Sequence, residues 1–256
     1  MIDEKSNWPF TISAASDRGA VRERNEDYYG VFEPETDGLR ESRGVLVVVT
    51  DGMGGHFSGE EASRMVVEVM GDIYYSDSEK DNGPKETLDI AFRAANRRVF
   101  NNVGNGRKGT AGTTCTSVAL FPEHYNIAHA GDSRAYLVRD GKIEQLTDDH
   151  SLVGEMVKQG LINKEEAIKH PRRNVLTRAV GLRDEVVPDI HEKIPFKNGD
   201  KILLCSDGLF SMVPEDEIES IVDRYDPEDA CKKLIAAAMK YGGEDNITAV
   251  VIQKAG

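Results

Sequence analysis

A chain of 256 residues can bury a large hydrophobic core and is long enough for one or two domains. A formal net charge of −13 argues against a nucleic-acid-binding surface, which needs clustered lysine and arginine. Three cysteines, Cys115, Cys205 and Cys231, have no C-x-x-C spacing; they read as small reduced core residues and argue against a zinc site or disulfide framework.

The first strand runs from Phe10 to Ser16. A polar stretch, Ser16 to Asp27, then leads into a second strand at Tyr28 to Phe32. Val45 to Val49 is an unbroken β-branched and apolar run, which predicts a strand buried on both faces. It ends at Asp51, and Gly52, Gly54 and Gly55 let other groups approach closely. Ser58-Gly-Glu-Glu61 is a capping box opening a helix with Ala62, Met65, Val66, Val69 and Ile73 inward. Pro84 begins a second helix carrying Leu88, Ala91, Phe92, Ala95 and Val99. Gly104 to Gly109 matches G-x-G-x-x-G, but a helix precedes it and a strand follows, the reverse of a dinucleotide-binding turn, so it reads as a loop.

Strands follow at Thr113 to Leu120, Tyr125 to Ala130 and Arg134 to Arg139, the last turning at Asp140-Gly141. The segment from about 149 to 181 interrupts this succession with two short helices and the pair Arg172-Arg173, and looks like an inserted flap. A strand from Lys201, helices from Pro214 and Pro227, and a strand from Asn246 to Ile252 complete the chain. No linker or fixed-period repeat divides it, so one domain over 1–256 is expected. Strands bracketed by helix pairs predict an α+β fold of two sheets covered by helices. The first residues carry no signal-peptide pattern and Val45 to Val49 is too short to cross a bilayer, so a soluble, cytoplasmic protein is expected.

Glu26, Asp27, Asp51, Asp132, Asp207 and Asp245 all fall at strand ends. If those ends converge, like charges must be neutralised by protons or cations. An all-oxygen cluster without His or Cys selects Mg²⁺ or Mn²⁺. Two such ions about 3.5–4 Å apart can share a water and lower its pKa, which suits phosphoryl hydrolysis. Arg22 could supply bidentate contacts to a phosphate if its loop folds back.

The combination Arg22-x-x-x-Glu26-Asp27, Asp51-Gly-Met-Gly-Gly, Gly112-Thr-Thr114, Gly131-Asp-Ser-Arg134, Ser206-Asp-Gly208 and Asp245-Asn246 closely resembles the bacterial branch of the PPM/PP2C-type metal-dependent protein serine/threonine phosphatases. The match is collinear over nearly the whole chain. The resemblance implies two antiparallel sheets flanked by helices, with a dinuclear Mn²⁺ or Mg²⁺ site between them and direct attack by a metal-bridging hydroxide. It makes Asp51 the bridging ligand, assisted by the Gly52 carbonyl. Asp207 and Asp245 hold one ion, Glu26 and Asp27 stand just behind the ligands, Asp132 helps bind a third, weaker ion, and Arg22 grips the phosphate. The flap corresponds to a variable segment implicated in substrate choice, and phosphorylated proteins are the expected partners of a monomeric enzyme.

Two positions depart from eukaryotic members. Met53 replaces the histidine that serves them as a candidate general acid, leaving His56 or a metal-bound water for that role. Ser211 stands where an acid often follows the second Asp-Gly. No cysteine is followed five residues later by arginine, and no D-x-D follows a first strand, which removes the cysteine-nucleophile and aspartyl-phosphate classes. A catalytically silent phosphoprotein-binding module on the same fold, and a hydrolase of small phosphate esters, are the competing readings.

Overall fold

The computed structural model describes residues 8–34, 36–54, 58–76, 82–102 and 111–255. Gly55, His56 and the Gly104 to Gly109 loop lie outside the described residues.

The alternating sides of the buried strands decide the layering. In β3 (Val45–Gly54), Val45, Val47 and Val49 belong to one cluster and Leu46 and Val48 to another. In β10 (Lys201–Cys205), Ile202 and Leu204 join the first cluster, whereas Leu203 and Cys205 face a third. A strand residue and its neighbour point to opposite faces, so strands apolar at every position must be covered on both. The shared cluster is the interior of a sandwich. The outer clusters are closed by helices: α2 (Ser58–Tyr74) and α3 (Pro84–Asn102) on one side, α7 (Glu215–Arg224) and α8 (Pro227–Lys240) on the other.

One sheet has the order β1 (Phe10–Asp17), β11 (Ile247–Lys254), β10, β7 (Arg134–Arg139), β8 (Lys142–Gln145). The other runs β2 (Asp27–Phe32), β3, β5 (Cys115–Leu120), β6 (His124–Ala130), β9 (Asp189–Pro195). All the pairings are antiparallel. The expected α-β-β-α arrangement is present. The hairpin at Asp140-Gly141 is also present, with φ of 52° and 70°, the left-handed pair that a two-residue type I′ turn requires.

Four local features differ from the sequence reading. The strand expected over Thr113 to Leu120 is divided into β4 (Ala111–Thr113), which pairs with β3 beyond Asp51, and β5. Strand β9 escaped notice because Asp189-Ile-His-Glu-Lys-Ile-Pro is a mostly polar sheet edge paired only with β6. Helix α1 (Asp37–Arg43) contains a single apolar residue and is held by its Thr36 cap rather than by an amphipathic face. Asp207 does not simply end a strand; it opens the four-residue helix α6 (Asp207–Phe210).

The flap contains α4 (Leu152–Lys158), capped by Ser151, and α5 (Lys164–Ile168), capped by an Asn163–Glu166 capping box. Its root is fastened to the turn after β6. The His150 amide donates to the Gly131 carbonyl at 2.7 Å, and the Gly131 amide donates to His150 Nδ1 at 3.1 Å. His150 Nε2 in turn pairs with Asp189 at 3.0 Å. Neighbouring His129 is buried, and desolvation together with His150 pushes its pKa down to about 4, which keeps it neutral.

Leu204 sits at the centre of the intersheet core, fully buried. Leu204→Ala is expected to cost about 2–5 kcal/mol of stability. Urea denaturation should show a lowered midpoint with an unchanged slope.

Candidate active site

The acidic residues meet where strand ends from both sheets come together. Asp27, the first residue of β2, stands directly opposite Asp51 in the β2–β3 register. The Asp51 main chain is clamped by the Gly-Thr-Thr segment. Its amide donates to Thr114 Oγ1 at 2.9 Å, and its carbonyl accepts from the Thr114 amide and Thr113 Oγ1, both at 2.9 Å. Thr114 Oγ1 also lies 2.6 Å from Ser133 Oγ, tying this clamp to the turn that carries Asp132.

The close approach of β2, β3 and α2 explains Gly52. A Cβ there would lie 2.2 Å from the Gly59 carbonyl oxygen and 2.6 Å from that of Glu26. Without a side chain, the Gly52 amide donates to the Glu26 carbonyl at 3.1 Å. Gly208 follows the same logic, since a Cβ would stand 2.1 Å from the Asn246 carbonyl oxygen.

Asn246 staples the Arg22 loop to the site. Its side chain accepts the Glu26 amide at 2.8 Å and donates to the Arg18 and Arg24 carbonyls at 2.9 and 2.7 Å. Ser206 joins Asp27 to β11, donating its hydroxyl to Asp27 Oδ2 at 2.6 Å and accepting the Thr248 amide at 3.0 Å. Asn246, Ser206, Thr113 and Thr114 belong to the sequence motifs, but the motifs assign them no role. Each is a small polar residue within two positions of an aspartate or glycine near a strand end, and only the fold reveals what it binds.

Electrostatics confirm the convergence. Burial pushes Asp51 well above the usual carboxylate range, reinforced by Asp27, Asp207, Asp132 and Asp245. Asp27 is pushed up to about 7 by burial, against the pull of the Ser206 hydrogen bond and of Thr248 nearby. Asp207 is raised to about 6 by burial and Asp245, with Asp51, Arg22 and Arg173 pulling the other way. Asp132 is raised by burial and Asp207. Glu26 is raised chiefly by burial, with Arg22 opposing. Six predicted carboxylates therefore share one region.

Among the described residues, no three acidic, histidine or cysteine groups are already drawn into one coordination shell. Of the six, Asp207 and Asp245 border a small cleft and Asp132 borders the space beside it, while Asp27 is buried opposite Asp51. The donor set is nonetheless one that a hard divalent cation fits: it is all oxygen, like charges are crowded together, and Asp27 Oδ1 is buried without a hydrogen-bond partner.

Arg22 reaches this cleft and donates to Asp245 Oδ2 at 2.7 Å, a bond that also raises its own pKa. It borders a cavity of about 120 Å³ with Arg173, Asn174, Asp207 and Asp245. A half-exposed guanidinium at the mouth of an acidic cluster is available to an anion that competes for it.

A family profile described as Protein phosphatase 2C matches residues 22–250. This chain belongs to the protein phosphatase 2C family. The Serine/threonine phosphatase stp of Listeria monocytogenes is 37% identical over 251 residues, covering 93% of this chain and 94% of that protein. The serine/threonine phosphatase PstP/Ppp of Mycobacterium tuberculosis superposes with a TM-score of 0.83 at 35% identity, covering 96% and 99% of the two chains. A PstP catalytic domain solved with two manganese ions gives a TM-score of 0.81 at 33% identity, covering 96% and 99%. As a protein phosphatase 2C, the chain is a metal-dependent protein serine/threonine phosphatase acting on phosphoproteins. Among the described residues no helix is long and apolar enough to cross a membrane.

The elevated Asp27 pKa has a stability consequence in the phosphatase without divalent cation. An unfolded aspartate titrates near about 3.9. Because the folded value is higher, the stabilising contribution is fully present below pH ~4 and is lost as pH rises through about 7. Asp27→Asn cannot ionise, so in EDTA it should gain on the wild type across that window, ending roughly 2–4 kcal/mol ahead at pH ~8. Urea titrations at several pH values measure the gap, and a constant gap would refute the account.

Proposed function

We propose that this phosphatase hydrolyses phosphoserine and phosphothreonine in cytoplasmic proteins by direct attack of water, at a centre held by Asp51, the Gly52 carbonyl, Asp207 and Asp245. The observation that supports this most is the mutual crowding of Asp51, Asp27, Asp207, Asp132 and Asp245 at converging strand ends. A binding-only descendant has no chemical need for that many carboxylates in an unfavourable arrangement.

Two Mn²⁺ or Mg²⁺ ions bound there, with a third weaker one near Asp132, would neutralise the carboxylates and acidify the attacking water. The chain's own residues do the rest. Glu26 and Asp27 stand behind the ligands, with Asp27 oriented by Ser206 and Glu26 fixed through its amide to Asn246. The threonine clamp keeps the Asp51 peptide immobile, so little reorganisation is required as charge develops. Arg22 leaves Asp245 to hold the phosphate dianion, and its loop is positioned for this by Asn246.

Met53 supplies no proton to the leaving serine or threonine oxygen. His129 and His150 are buried and bonded to Thr116, Gly131 and Asp189, so neither substitutes for a general acid at Asp51. The catalytic unit on this reading is one monomeric domain spanning 1–256, reversing the action of a serine/threonine kinase.

Purified enzyme should hydrolyse a phosphothreonine peptide with Mn²⁺ and lose that activity in EDTA. Asp51→Asn should abolish turnover, by at least about a thousandfold. Arg22→Ala should lower kcat/KM by roughly ten- to hundredfold, as expected for a charge-assisted phosphate contact. Activity that survives chelation would overturn the mechanism. An inactive wild type that still binds phosphopeptide would favour a silent binding module.

A further inference from the structure

Beside the catalytic cleft lies a second, larger cavity of about 650 Å³, between the flap, β7 and the α6–α7 turn. The two spaces adjoin, since Arg173, Asn174, Asp207, Ser211 and Met212 border both. Their characters differ. The cleft is polar, whereas the larger cavity has an apolar floor of Tyr136, Val213 and Ile218, with Val153 and Val157 of α4 and Phe210 of α6 as walls. That volume lies in the range of ligand-binding pockets.

The walls are fixed in advance. The Arg134 guanidinium lies 3.7 Å from the centre of the Phe210 ring and donates to both Asp149 carboxylate oxygens at 2.9 and 2.7 Å. It also donates to the Tyr136 hydroxyl at 2.8 Å, and Gln145 donates to Asp149 at 2.9 Å. This lock joins the flap root to α6 and β7 around the space, so a guest need not order it.

We propose that this cavity receives a large apolar side chain of the phosphoprotein, from a residue within about four positions of the phosphorylated serine or threonine, a reach of about 13 Å for an extended chain. The inference rests on the phosphatase reading and deepens it. The occupant is identified by the five residues this cavity shares with the cleft proposed to take the phosphate, and by the apolar floor. Charge refines it: apart from Asp132 and Asp207, which belong to the proposed metal centre, the lining carries Asp148, Asp149, Glu165 and Glu215 against Arg134, Lys158 and Arg173. Two of those bases are already paired, Arg134 with Asp149 and Lys158 with Asp148. Glu165 lies exposed on the lining, which favours a lysine or arginine next to the apolar residue.

The test measures kcat/KM for phosphothreonine peptides that differ only in their flanking residues, beside hydrolysis of p-nitrophenyl phosphate, all with Mn²⁺. Leucine or phenylalanine at one flanking position should raise kcat/KM about tenfold over alanine, the effect of burying one such side chain. Val157→Asp should remove that advantage with p-nitrophenyl phosphate hydrolysis unchanged. Glu165→Lys, on an exposed surface where folding is not at risk, should reduce the benefit of an adjacent basic residue and leave p-nitrophenyl phosphate untouched. Peptides that are all cleaved alike, or wild-type preferences retained in both variants, would overturn the proposal while the phosphatase reading stands. Failure to hydrolyse p-nitrophenyl phosphate as well as every peptide would remove both.

Discussion

The structure turns on a repulsion that folding enforces. Pairing β2 with β3 places Asp27 against Asp51, and packing the two sheets brings Asp207, Asp245 and Asp132 to the same end. Hydrophobic burial of the intersheet residues drives this, and the carboxylates have no freedom to separate once Val47, Val49, Leu204 and Val250 are packed. The cost is met by neutral hydrogen-bond donors, by Arg22, and by protons retained to unusually high pH.

Positioning in this site is done mainly by uncharged groups. Asn246 binds three main-chain groups of the Arg18–Glu26 loop, Ser206 bridges Asp27 to β11, and the two threonines immobilise Asp51. Glycines 52 and 208 let the backbones approach closely enough for those bonds to form. The flap is a different kind of element, with short capped helices, a root fixed through His150 and Gly131, and an apolar inner face left partly uncovered. On the proposed reading, a rigid catalytic centre beside a separately built recognition surface lets substrate preference change without disturbing the chemistry.

Much of this could be seen in the chain before folding. Val45 to Val49 and Lys201 to Cys205 are apolar at successive positions, which requires cover on both faces and hence a layered fold. The amphipathic helices from Ser58, Pro84, Pro214 and Pro227 supplied that cover. Elements without such periodicity were not legible: α1 depends on its cap, and β9 on finding an edge of β6. The short α6 helix arises from the turn geometry after Cys205, which the Ser-Asp-Gly sequence permits but does not require.

For the site, the sequence by itself determined the inventory: which acidic residues lie next to apolar strands, which arginine accompanies them, and that only oxygen ligands are offered. These follow from residue type and local spacing, which need no knowledge of partners distant in the chain. Tertiary structure alone decided that Asp27 faces Asp51, that Asn246 reaches back 222 residues to the Arg24 carbonyl, and that Arg22 rests on Asp245. It also decided that the flap encloses an apolar chamber beside the cleft. Such contacts join segments far apart along the chain, and their geometry is set by how two sheets pack rather than by any local preference.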